Sequence, residues 1–380
     1  MPTARLFSKQ TFGWICMCLV VLLISCTGQP AAPSDPQPSA QQPAAPQPAA
    51  RQPAAEPAKS PVDSPTQLAG KSEVPATCPP CASAKAAEVE KAVLPGGLGI
   101  LGDSFYDEYQ GDDNRGGASH STTFNLVEIL VHTRHFDLGP WGKRDEPRRT
   151  GYAYNWARSG ATSESMIEQG QHTGLAEQIR QGLVSYVWIG IGANDFNPYF
   201  PTAYQEIYNG TMTDAQIQEK IDRAVANVTL AVETVQEAGA KGIVVTHFTQ
   251  WDLDPLLSEN YPDAAGRKRV AEAINAVNED IQAMADEKGI AAFNQNMVGM
   301  NLLPKLVENR YLLVADQRID FAVCGDEPQF SRLADLQHLG TVMSGISTNY
   351  YFINTFNEQF GMEIQPLSDE EILRIAGFPE

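Results

Sequence analysis

Four short segments carry residue types that do nucleophilic chemistry when they meet. The first is Gly102-Asp103-Ser104-Phe105, directly after the apolar run Gly97–Leu101. A Ser placed just past a buried strand lies where its hydroxyl faces a cleft. That hydroxyl is a weak nucleophile and needs a base within hydrogen-bond reach. The plainer reading is a helix cap, since Asp and Ser both cap N-termini well. The second segment, Asp335-Leu336-Gln337-His338, offers the base. An Asp three residues before a His can accept its Nδ1 proton and aim Nε2 at the Ser. Such a spacing also arises by chance.

The third segment, Gly192-Ala193-Asn194-Asp195, follows the apolar run Tyr186–Ile191. An Asn amide is a fixed, neutral donor suited to a developing oxyanion. The alternative is that Asn194 and Asp195 are turn residues. The fourth, Ser159-Gly160-Ala161-Thr162, holds a Gly that lets a backbone N–H approach an oxyanion closely. Other patterns are weaker. Gly97 to Gly102 spell Gly-x-Gly-x-x-Gly, but the glycines lie in the strand itself and not at the helix opening that a dinucleotide fingerprint requires. His132 and His135 lack a third ligand at metal spacing, so packing or surface roles are favoured. Asp252 and Asp254 follow the strand ending at Thr246 and could bind Ca²⁺, but exposed loop carboxylates are the commoner case. His247 and Trp251 leave a strand at its C-terminal end and are candidate substrate-wall residues.

The elements that must position these groups alternate between strand and helix. Strands are expected at Gly97–Leu101, Tyr186–Ile191, Gly242–Thr246 and Ile290–Phe293. Helices are expected at Thr122–Thr133, Thr213–Ala238, Ala264–Lys288 and, finally, Gly340–Phe356. This alternation implies a three-layer α/β/α domain over residues 95–380, with a parallel sheet of about five strands covered on both faces. Its ligands sit beyond the C-terminal strand ends.

Taken in order, the four segments resemble the GDSL family of esterases and lipases, the SGNH hydrolases. The resemblance spans residues 97–357. It implies an SGNH-type (flavodoxin-like) fold and ester hydrolysis through an acyl-enzyme, with no cofactor and no metal. Ser104 matches the family nucleophile, and Asp335 and His338 match its closing Asp-x-x-His. Ser104, Gly160 and Asn194 match the oxyanion hole. The stretches Tyr106–Tyr154 and Asn296–Ala334 are expanded relative to the family's spacing, so no substrate contact carries over. An acyltransferase using the same site, or a non-catalytic carbohydrate-binding surface lipoprotein, are the rival functions.

The chain has 380 residues, 43% of them hydrophobic, and a net charge of −19 from 27 basic and 46 acidic residues. All of the acidic excess falls in residues 95–380, which hold 20 basic and 40 acidic residues. Such a body lacks the cationic surface that sequence-independent nucleic-acid binding needs. At the N-terminus, Arg5 and Lys9 precede an apolar stretch, Phe12–Ile24, that is short for a membrane span and suited to a secretory signal. It ends in Leu23-Ile24-Ser25-Cys26, which resembles a bacterial lipobox, so residues 1–26 read as a lipoprotein signal with Cys26 lipidated. Residues 27–94, rich in Pro, Ala and Gln, read as a disordered tether. Cys78-Pro79-Pro80-Cys81 closes it; a local disulfide or a link to Cys324 is favoured over redox or zinc roles. The expectation is an exported enzyme held by lipid at the outer membrane or cell surface, acting on an acyl ester. Cys26→Ser is expected to move the protein from the membrane fraction to the soluble fraction. Undiminished sedimentation with membranes contradicts the lipobox reading.

Overall fold

The computed structural model describes residues 95–111, 115–254, 257–297, 299 and 310–379. Cys26, Cys78, Cys81, the signal and the tether lie outside the described residues. In chain order the elements are β1 (Gly97–Gly102), a 3-10 turn (Gly117–Thr122), α1 (Leu126–Arg134), β2 (Trp141–Lys143), β3 (Thr150–Tyr152), α2 (Ser163–Glu168) and α3 (Gln171–Arg180). Then come β4 (Val184–Gly190), α4 (Ala203–Tyr208), α5 (Asp214–Glu237), β5 (Gly242–Thr246), α6 (Leu257–Asn260), α7 (Ala264–Lys288) and β6 (Ala291–Phe293). The last are β7 (Tyr311–Val314), β8 (Gln317–Asp320), α8 (Thr341–Thr348), a π-helical turn (Asn349–Asn354), α9 (Thr355–Phe360) and α10 (Asp369–Ile375).

The central sheet has the order β1-β4-β5-β6, and every neighbouring pair is parallel. About five strands were expected; four are regular. The outer side of β1 is covered by residues 154–158, which pair with it without forming a full strand. Ile100 N–H donates to the Tyr154 carbonyl (3.0 Å), Trp156 N–H to Ile100 (2.8 Å) and Arg158 N–H to Gly102 (2.9 Å). This pairing delivers the Ser159–Thr162 segment to the same sheet edge as Ser104.

Alternate strand residues divide between two cores. Leu101, Val187, Ile189, Ile243 and Val245 pack under α2, α3, α5 and α7. Leu98, Ile100, Trp188 and Val244 pack under α1, α8, α9 and α10. Both faces of the sheet are therefore covered, as parallel strands with apolar residues on each side require. The helices α5 and α7 supply long apolar stripes at helical spacing.

Three boundaries depart from the sequence expectation for identifiable reasons. The helix expected from Thr122 starts at Leu126. There the buried Asn125 side chain accepts from the N–H of Val127 (3.1 Å) and Glu128 (3.0 Å), and Glu128 Oε2 accepts from Asn125 N–H (2.9 Å) in a reciprocal cap. The helix expected over Gly340–Phe356 is interrupted by the π turn, which packs Phe352 on Trp188 (ring centroids 4.4 Å). It is also not the last helix, because α10 follows. The two expanded stretches hold two-stranded antiparallel hairpins, β2–β3 and β7–β8, which were too short to read from periodicity.

Asn125 also donates to the Asp107 carbonyl (2.7 Å), so it joins the start of α1 to the segment after Ser104. Asn125→Ala is expected to lower stability by about 2–3 kcal/mol, from a lost cap and the lost buried bond to the Asp107 carbonyl. Chemical denaturation measures this, and a loss under about 0.5 kcal/mol contradicts the assignment.

Candidate active site

β1 ends at Gly102, and the chain turns at once. The buried Asp103 carboxylate directs that turn by accepting from Phe105 N–H (3.1 Å) and from Ala193 N–H on the β4 side (3.3 Å). Burial pushes its pKa up to about 7, against the pull of those two bonds. Tyr106 and Asp107 N–H both donate to the Asp103 carbonyl, so a helical turn begins with Ser104 at its head. No side chain fits at Gly190, where a Cβ would lie 2.2 Å from the Tyr106 ring that supports this turn.

Ser104 Oγ lies 2.7 Å from His338 Nε2, and His338 Nδ1 lies 2.6 Å from Asp335 Oδ2. Ser104 and His338 are buried, at 8% and 9% exposure, while the Asp335 side chain is 41% exposed. The other Asp335 oxygen accepts from the N–H of Gln337 and His338, both at 3.0 Å. Burial pushes the Asp335 carboxyl up, but the bonds and charge of His338 outweigh it and hold the group well below the usual carboxylate range. An ionised acid is thus available to orient the imidazole.

The loop carrying the pair is held at its base. Leu333 N–H donates to the His338 carbonyl (2.9 Å), Gly340 N–H to Ser331 (2.9 Å), and Leu336 between them sits at φ +70°. Arg332 donates to Asp254 Oδ2 (2.6 Å) and to the Leu336 carbonyl (3.3 Å), and Tyr199 O–H donates to the same Asp254 oxygen (3.1 Å). This cluster joins the base loop to the segments after β5 and after Asn194. Asp254 is therefore engaged by a guanidinium. Among the described residues no group of three His, Cys, Asp or Glu side chains is placed to hold a metal ion. His132 packs on the Phe124 ring (5.1 Å), and His135 ends α1 in a left-handed conformation.

The oxyanion candidates meet at the same edge. Asn194 Nδ2 donates to the Ala161 carbonyl (3.0 Å), and its Oδ1 accepts from Asn197 (3.1 Å). The amide is thereby oriented, with one N–H hydrogen left to give. Asp195 accepts from the backbone N–H (2.9 Å) and the hydroxyl (2.6 Å) of Ser163 and so fixes the start of α2. Gly160 has φ +80° with no described atom within 4 Å of where a Cβ would stand, so backbone conformation and not crowding calls for glycine there. Among the described residues nothing accepts from the backbone N–H of Ser104 or Gly160. Asp107 accepts from Ser159 N–H (2.7 Å) and pairs with Arg158 (3.4 Å), which steadies the Gly160 turn.

Trp251 donates its indole N–H to the Ala193 carbonyl (3.2 Å) and lines a cavity of about 180 Å³ together with Phe105, Gln337 and Leu339, the chain neighbours of Ser104 and His338. His247 lines a different cavity, with Gln282 and Asn275, and its Nε2 is 3.3 Å from Gln282 Oε1. Cys324 is half-buried and has no disulfide partner among the described residues, and Cys78 and Cys81 lie outside them. The sequence reading missed Arg115, whose Nε lies 3.7 Å from Asp335 Oδ2 and whose guanidinium rests over the Tyr109 ring (5.0 Å). It also missed Arg332, Tyr199 and Asp107. None has a spacing that ties it to the four segments.

Residues 98–309 match the family model of the GDSL-like lipase/acylhydrolases. This match covers more than half of the chain, and the chain belongs to that family. It is a carboxylic ester hydrolase on the family's parallel-sheet fold. A search of curated proteins returned no match. Among solved structures it is similar to a gut microbial diltiazem-metabolizing enzyme, at 17% identity and a TM-score of 0.38, over 68% of this chain and 46% of the other. The chain thus spans less than half the length of that enzyme. It is also similar to a variant of an acetyl xylan esterase from Geobacillus stearothermophilus, at 16% identity and a TM-score of 0.37, over 71% of this chain and 97% of the other. An extracellular lipase from Streptomyces rimosus matches at 20% identity and a TM-score of 0.31, over 53% of this chain and 81% of the other.

Proposed function

We propose that the protein hydrolyses acyl or acetyl esters through a covalent intermediate on Ser104. What carries this reading is the unbroken relay from Ser104 Oγ to His338 Nε2 at 2.7 Å and from His338 Nδ1 to Asp335 at 2.6 Å. Oγ attacks the ester carbonyl carbon as its proton passes to Nε2, and Asp335 stabilises the imidazolium that forms. The tetrahedral oxyanion receives the backbone N–H of Ser104 and Gly160 and the remaining amide hydrogen of Asn194. The C–O bond to the alcohol then breaks, and Nε2 returns the proton to the leaving oxygen. Water, deprotonated by His338, attacks the acyl-enzyme and releases the acid and Ser104. No step calls on a metal or cofactor.

The setting is an exported enzyme anchored through lipid on Cys26 at the outer membrane or cell surface. An acidic body on a tether suits acyl groups of extracellular or cell-wall carbohydrate better than anionic membrane lipid, which repels it. If a sugar hydroxyl replaces water in the second half-reaction, the same site performs acyl transfer. A carbohydrate-binding lipoprotein without catalysis has no use for an ionised Asp335 behind His338.

Asn194→Ala is expected to lower kcat on p-nitrophenyl acetate by about 10²–10³-fold with KM little changed, because its donor meets charge that develops only in the transition state. Asp335→Asn is expected to lower kcat by about 10⁴-fold through loss of the oriented imidazole. Raised KM with kcat spared in Asn194→Ala makes Asn194 a ground-state contact instead.

A further inference from the structure

The cavity beside the triad points to the substrate's acyl group, an inference that rests on the ester-hydrolase reading above. Its near wall is built from the chain neighbours of the reacting groups. Phe105 follows Ser104, and its ring lies 5.9 Å from the His338 ring. Leu339 follows His338, and Trp251 is bonded to the residue before Asn194. The floor is α8. Met343 and Ser347, four residues apart and so on one helical face, both line the cavity and are 4% and 2% exposed. Tyr351 continues that wall. An acetyl methyl leaves most of such a space unfilled. The cavity, about 180 Å³, has room for several methylenes beyond an acetyl methyl.

The charge of the lining narrows the class further. Arg332 and Asp254 both border the cavity, but they are paired with each other at 2.6 Å, so no net charge waits there for a carboxylate. The remaining polar groups are neutral amides, such as Gln295 and Gln250, and hydroxyls, such as Ser347 and Tyr351. Apolar walls with a few neutral polar groups select an uncharged chain.

The acyl side is favoured over the alcohol side by the reaction sequence. The alcohol must leave past His338 and be replaced by water, which needs an open path. The acyl group stays on Ser104 through both half-reactions and gains from a space floored by core residues. We infer that the cavity between Phe105, Trp251 and α8 is an acyl pocket, and that the enzyme takes neutral acyl chains of medium length in preference to acetyl.

The test uses the full chain and p-nitrophenyl esters of acetate, butanoate, hexanoate and octanoate. The expected kcat/KM rises at least about tenfold from acetate to hexanoate, since each buried methylene contributes about fourfold at best. Ser347→Leu, which fills the floor, is expected to cut the hexanoate-to-acetate ratio about tenfold. Met343→Ala, which deepens it, is expected to move the best substrate toward octanoate. The two shifts are opposite, so either variant alone keeps the test decisive if the other fails to fold. A wild type that prefers acetate, with that ratio unmoved in the variants, overturns the pocket and leaves ester hydrolysis standing. If Ser347→Leu instead discriminates hexyl acetate from ethyl acetate, the cavity serves the alcohol and the assignment is overturned. Absence of turnover on every ester overturns both readings.

Discussion

The hydrogen bond between Ser104 and His338 joins positions 234 residues apart, and the fold serves to close it. A loop that long is entropically tolerable because closure cost grows only slowly with length. What makes the closure specific is the sheet. β1 brings Ser104 to the C-terminal edge, and the segment 331–340 returns His338 to the same edge before α8 packs under β1 and β4. Every loop that touches the site is tied to another one: Asp103 to Ala193, Asn194 to Ala161, Asp195 to Ser163, Arg332 to Asp254. The site is a set of strand ends cross-linked by side chains.

Buried carboxylates supply many of those links. Asp103, Glu108 and Glu128 are fully or almost fully buried, and burial pushes their pKa values to about 7, 8 and 7. Each accepts from backbone N–H groups: Phe105 and Ala193 for Asp103, Tyr152 at the end of β3 for Glu108, and Tyr109, Gln110 and Asn125 for Glu128. Buried backbone donors need partners, and a carboxyl oxygen accepts from them whether or not the group carries its proton. Asp335 is the exception, held ionised by His338. The chemistry of one acid and the scaffolding by the others follow from what each one faces.

Much of this was legible in the sequence because the informative signals are local. α7 runs over Ala264–Lys288 as expected, since Asp263 caps its start and Gly289 ends it at φ +66°. Ser104, Asn194 and His338 were readable because each follows an apolar run or sits in a short motif. The supports were not. Arg332 meets Asp254 across 78 residues, Tyr199 reaches it across 55, and Asp107 holds Ser159 across 52. No periodicity encodes such pairs. The start of α1 was misread because Phe124 continues the apolar pattern, while the Asn125 cap decides where helical hydrogen bonding begins.

The central claim is that Ser104 is the nucleophile of a charge-balanced relay. Its most direct measurement is the intact mass of the full chain after reaction with a fluorophosphonate, followed by mapping of the modified peptide. One adduct per chain is expected, on the peptide containing Ser104 and lost in Ser104→Ala. An adduct that maps elsewhere, or that survives in Ser104→Ala, contradicts the account.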